Sequence, residues 1–120
     1  MNTTFGVEVR VIQGGVVLEL CGDIDGTASS GLNDAYERAV EECNPQQVLL
    51  DFSFAEYMNS SGIALIVSVL ARARAEHRQV RASGLSEHYR EIFEITRLSN
   101  FIQLHSDLDE AVSQIAEAAR

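Results

Sequence analysis

Two adjacent hydroxyls are the strongest chemical candidates in the chain. In Asp51-Phe-Ser-Phe-Ala-Glu-Tyr-Met-Asn-Ser60-Ser61-Gly62-Ile-Ala64, an apolar strand gives way to a short loop and a Ser-Ser-Gly triplet opens a helix. A hydroxyl there stands beside backbone N–H groups and the positive end of a helix dipole. That environment suits an anion, including a phosphoryl group carried by the serine itself. Spacing alone favours a structural role, because serine is a favoured N-cap and Ser60 or Ser61 would then only start the helix.

Other chemistries have less behind them. Cys21 and Cys43 lie in apolar surroundings without CxxC spacing, which predicts two small buried thiols rather than a disulfide. His77, His88 and His105 are scattered, with no acid at ligand spacing, so no metal site is expected. Ser60 paired with His88 or His105 would suggest a nucleophile and base. However, there is no Gly-x-Ser-x-Gly elbow, no phosphate loop and no lysine, and an enzyme is not expected. Asp51 ends an apolar run and suggests a hydrogen bond there. Arg72, Arg74, Arg78 and Arg81 form a basic cluster on a helix end and the next strand, a pattern usual for a solvated face.

The positioning elements follow from periodicity. Val7, Val9 and Val11 alternate with polar residues, Gly14-Gly15 signals a hairpin, and Val16, Leu18 and Leu20 share one face of a second strand. Apolar residues from Ala28 to Cys43 recur at helical spacing, with Pro45 after the helix end. Val48 to Phe52 reads as a strand covered on both faces. The helix opened by Ser60 runs to about His77, and its first half is apolar on most sides, predicting deep burial. A strand over 79–82 follows, then a helix capped by Ser86 with Tyr89, Ile92 and Phe93 inward. A strand over 101–104 and a helix capped by Ser106 close the chain. The order β-β-α-β-α-β-α-β-α predicts an α/β fold: a mixed, mostly parallel sheet with an N-terminal hairpin and about four helices packed against it, over residues 1–120 as a single domain.

At 120 residues and 46% hydrophobic, the composition is that of one globular domain. No run reaches the ~20 apolar residues that span a bilayer, and Met1-Asn2-Thr3-Thr4-Phe5 lacks the layout of a secretion signal, so a cytoplasmic location is expected. The formal net charge is −9. Arg10 and Arg38 face ten acids in residues 1–60, against seven arginines and eight acids in residues 61–120. Such an acidic half repels nucleic acid and anionic membranes; it suits a partner protein with a basic face, or solubility alone.

The stretch Tyr57-Met58-Asn59-Ser60-Ser61-Gly62-Ile63 resembles the signature of STAS domains, specifically the bacterial anti-sigma-factor antagonists. Gly22-Asp23-Ile24-Asp25, Gly84-Leu85-Ser86 and the run Arg90 to Leu98 resemble further family segments in the family's order. The resemblance implies a STAS-like fold and a two-state switch. The unphosphorylated domain binds an anti-sigma factor that is also a serine kinase, which releases a sigma factor. The kinase then phosphorylates the first signature serine, ending the complex, and a serine phosphatase resets it. Carried over by position, the acceptor is Ser60, with Ser61 secondary. The partner-binding residues are Asp23, Asp25, Tyr57, Met58, Asn59, Ser60, Ser61 and Gly62. No cofactor is implied. Asn59 stands where the family commonly has Asp, which removes a charge beside the acceptor and bears on kinase recognition. The resemblance also accommodates a STAS module of a transporter or stress-sensing assembly that binds partners without phosphorylation. The lack of a second domain favours the free-standing antagonist.

Overall fold

The computed structural model describes residues 4–120; of the N-terminal stretch read above for a leader, Met1–Thr3 lie outside the described residues. The hairpin forms where the two glycines predict it. Strand β1 (Gly6–Ile12) pairs antiparallel with β2 (Gly15–Ile24), with Ile12 opposite Gly15. The two-residue turn holds Gly14 at φ 90°, a conformation that side-chain-bearing residues rarely adopt. After a 3-10 turn at Gly26–Ala28 come α1 (Ser29–Cys43), β3 (Gln47–Met58), α2 (Ser60–Ala75), β4 (Gln79–Ser83), α3 (Glu87–Ile95), β5 (Gln103–His105) and α4 (Leu108–Ala118). The α1 helix stops because Asn44 turns left-handed at φ 42° and returns its N–H to the Val40 carbonyl, immediately before Pro45.

The sheet order is β1-β2-β3-β4-β5, with every pairing after the hairpin parallel. Strand alternation divides the core between two faces. Val16, Leu18, Leu20, Val48, Leu50 and Phe52 face the larger cluster, with Leu32 and Tyr36 of α1, Ile66 and Val69 of α2, and Phe93 of α3. Val17 and Leu49, one residue out of phase, meet Ala111 and Ile115 of α4 on the other side. Phe93 meets Phe52 edge to face, 6.1 Å between centroids.

Several expectations are corrected. The segment after Phe52, expected as a loop, continues as strand to Met58, because Cys21–Ile24 of β2 extend beside it after two register shifts. Cys21 is exposed rather than buried, with its thiol 3.5 Å from the Gly6 carbonyl. Helix α2 is amphipathic rather than enclosed: Leu65, Ile66 and Val69 are buried, but Ala64, Val67 and Ser68 are exposed. The final strand starts later than expected, leaving Phe101 outside it, and α4 is capped by Asp107, not Ser106. The basic cluster is not uniformly solvated, since Arg81 is only 8% exposed in β4.

Candidate functional site

The site is the joint between strand and helix. Its cap is Asn59, whose amide oxygen accepts from the Gly62 N–H at 2.9 Å. The capping role considered for Ser60 or Ser61 therefore falls to the residue before them. An uncharged amide oxygen is enough for this duty. Ser60 and Ser61 occupy the first two helical positions, both exposed, and their N–H groups lie outside the intrahelical ladder. The first ladder bond runs from the Ile63 N–H to the Asn59 carbonyl.

The end of β2 is tied to the same joint. In register, Asp23 lies opposite Tyr57 and Ile24 opposite Met58, and the Asn59 N–H donates to the Ile24 carbonyl at 3.3 Å. A Cβ at Gly62 would stand 1.9 Å from that carbonyl oxygen, so only glycine lets the helix start this close to the strand. The Cβ of Ser61 would be 3.8 Å from one added at Gly26, in the turn that follows β2. Asp23, Asp25, Asn59, Ser60, Ser61 and Gly62 thus come together from two chain segments. Asp25 begins the 3-10 turn, accepting from the Thr27 hydroxyl and the Thr27 N–H. Those bonds hold its carboxyl below the usual aspartate range and so keep it ionised.

Tyr57 and Met58 point differently. Tyr57 is 52% exposed, whereas Met58 is 5% exposed and packs in the main core. Of these two members of the expected partner-binding set, Tyr57 is on the surface, and Met58 lies beneath it as part of the core. Two residues not assigned to the site from the sequence belong with it. Phe54, opposite Cys21, is 63% exposed on the outer part of β3. Its signal was an aromatic two places beyond the buried Phe52, past the cover of the helices. Tyr89 of α3 accepts the Met58 N–H with its hydroxyl oxygen at 2.8 Å, fixing the strand end from the side. Asp51 is buried and accepts from the Ser53 N–H and from the Ser53 and Ser83 hydroxyls, which makes it a structural anchor in the sheet. His105 is also engaged, 3.1 Å from both Arg81 Nη1 and Glu110 Oε1. Among the described residues no three His, Cys, Asp or Glu side chains are grouped to hold a metal ion, and no helix is long and apolar enough to cross a membrane.

A mixed sheet with an opening hairpin, and a hydroxyl pair displayed where a strand runs into a helix, define a small class of α/β domains. The STAS domain model matches residues 6–111, and the chain belongs to the STAS domain family. A STAS-domain containing protein of Pseudomonas aeruginosa (strain UCBPP-PA14), PA14_20770, is 29% identical over 89 residues, spanning 74% of this chain and 83% of the relative. In fold, the chain is similar to an anti-sigma factor antagonist from Mycobacterium paratuberculosis, with a TM-score of 0.80 at 20% identity over 96% of this chain and 98% of the other. It is also similar to the anti-sigma factor antagonist SpoIIAA in its unphosphorylated form, with a TM-score of 0.72 at 19% identity over 93% and 97% of the two chains. The phosphorylated form of the Bacillus cell fate determinant SpoIIAA gives 0.70 at 20% identity over 93% and 99%.

Proposed function

We propose that this chain is an anti-sigma-factor antagonist that binds an anti-sigma factor with serine-kinase activity while Ser60 is unmodified, and lets it go when Ser60 carries phosphate. A serine phosphatase completes the cycle. The observation that carries the reading is the division of labour at the joint. Asn59 does the capping, so the Ser60 hydroxyl is exposed at a helix N-terminus with no structural duty of its own.

A phosphate on Ser60 adds about −1.5 to −2 charges and three acceptor oxygens. The helix end tolerates this, since an anion in the first turn is worth about 0.3–1 kcal/mol in its favour. A docked partner meets a different situation. Ionised Asp25 and half-buried Asp23 already make the rim acidic, and exposed Phe54 and Tyr57 supply apolar contact area beside them. Added negative charge facing an acidic or desolvated group of the partner costs several kcal/mol, enough to end a specific complex. The switch therefore works through affinity rather than refolding. Asn59 in place of aspartate keeps the cap while lowering the negative charge around the acceptor.

The test is a pull-down of the cognate anti-sigma factor with wild type, Ser60→Ala and Ser60→Asp, together with the intact mass after incubation with that kinase and ATP. Alanine is expected to retain the partner, aspartate to lose it, and wild type alone to gain one phosphate. Equal recovery by both variants, or an unchanged wild-type mass, overturns the switch.

A further inference from the structure

Helix α2 ends far from Ser60. Arg74 lies fourteen residues on, about 21 Å along the axis at 1.5 Å per residue. There, beside β4 and the segment leading into β5, lies a cleft of about 420 Å³ walled by Arg74, Arg78, Arg81, Ser99, Asn100 and Phe101. In a chain with twice as many acids as arginines, three arginines line this one cleft and no Asp or Glu does.

The state of each guanidinium matters more than the count. Arg81, only 8% exposed, donates from Nε to Gln47 at 2.8 Å and from Nη1 to Gln103 at 2.9 Å, and lies 3.1 Å from His105 Nε2. All three partners are amide oxygens or an imidazole nitrogen, and no carboxylate forms an ion pair with Arg81 among the described residues. Its Nη2 donates to no protein acceptor there. Because no buried side-chain nitrogen or oxygen among the described residues lacks a hydrogen-bond partner, Nη2 is not fully sealed from solvent. A nearly buried cation with neutral partners and one open donor is a place where a bound anion lowers the energy. Arg74 is exposed and its side chain makes no hydrogen bond or ion pair among the described residues; its guanidinium rests 4.6 Å from the Phe101 ring centroid. Arg78 is partly neutralised by Glu76 at 3.0 Å and is held in place by Asn44 and the Pro45 carbonyl. Two uncompensated positive charges and a third partly compensated one match a dianionic group better than a single carboxylate. The planar fork of arginine suits phosphoryl oxygens. The half-exposed Phe101 ring gives the rest of such a molecule an apolar wall.

We propose that this cleft binds a small phosphate monoester, at a site separate from the Ser60 joint and independent of the function proposed for it. The test is an amide-resolved NMR titration of the full chain with AMP, ribose 5-phosphate and inorganic phosphate, with sulfate as the anion control. The expected result is saturable shifts at Arg81, Asn100 and Phe101, with at least one ester bound about tenfold or more tighter than sulfate, the worth of one charge-assisted hydrogen bond. Preference for AMP over ribose 5-phosphate assigns the base to the Phe101 wall; equal affinity assigns recognition to the phosphoryl group. Arg74→Glu, which reverses one exposed charge in the last turn of α2, is expected to lower the melting temperature by only a few degrees and to weaken ester binding at least tenfold, whereas Ser60→Ala leaves it unchanged. Sulfate binding within tenfold of every ester, shifts absent from the cleft, or wild-type affinity in Arg74→Glu each overturn the proposal.

Discussion

Gly62→Ala is the most direct test of the strand–helix joint. The new methyl would lie 1.9 Å from the Ile24 carbonyl oxygen, 2.7 Å from its carbon and 3.1 Å from Met58 Cγ. Ordinary contact begins near 3.4 Å, so strand end and helix start must separate by about 1.5 Å. Such overpacking costs about 1–3 kcal/mol. The Asn59 N–H bond to Ile24, already 3.3 Å long, goes with it and adds about 0.5–1.5 kcal/mol. Replacing a helical glycine returns up to about 1 kcal/mol. The net loss is about 2 kcal/mol, or roughly 6–10 °C in melting temperature for a domain of this size. Thermal unfolding followed by circular dichroism measures it. Gly31 is the built-in control: it occupies the equivalent third position of α1, but its added Cβ would only touch the Phe5 ring at 3.4 Å. Gly31→Ala is expected to be neutral or slightly stabilising. A Gly62→Ala protein as stable as wild type, or equal losses in both variants, would refute the collision and leave a general effect of helix-start glycines.

Three further outcomes are expected. Asn59→Ala removes the α2 cap and lowers stability by about 1 kcal/mol in urea titrations, whereas Asn59→Asp keeps the cap, adds a charge favoured by the dipole and at least preserves stability. Burial, aided by the hydrogen bond to Glu76, pushes the Tyr36 phenol up to about 12, so its contribution is complete below the unfolded value of 10.0 and is lost as pH rises from there towards 12. Alkaline titration of tyrosinate absorbance should show a step near 12, and Tyr36→Phe should remove it. The same bond, followed by Arg78, holds the Glu76 carboxyl below its usual 4.5; its contribution is present above that value and fades as pH falls through the lower folded one, so acid unfolding of Glu76→Gln should be less steep there.

Much of this architecture was legible because it rests on periodicity. The alternation of Val16, Leu18 and Leu20 and the unbroken run Val48 to Phe52 reflect burial on one face and on both. What stayed hidden depended on neighbours distant in sequence. Residues 53–57 carry no strand pattern of their own, being mostly exposed; they are extended because the outer half of β2 pairs with them. Cys21 falls on the face of β2 opposite Leu18 and Leu20 and is exposed there despite apolar neighbours in sequence. Asn59, Ser60 and Ser61 are all good caps, and propensity cannot choose among them. The choice is made by Gly62 against the Ile24 carbonyl, which sets where the helix begins. Arg81 looked like the rest of its cluster, but β4 is an interior strand, and its partners come from β3 and β5.

The two sides of the sheet are unequally covered. One is sealed by three helices, while the other depends on α4, whose main apolar anchors are Ala111 and Ile115 beneath Val17 and Leu49. A patch that small has little to hold it shut, and local opening favours such regions. The leaf that lifts first should therefore be α4, with its amides exchanging early while those of β3 and α2 stay protected. The serine-bearing joint would then sit on the quiet side of the wall, insulated from the breathing behind it.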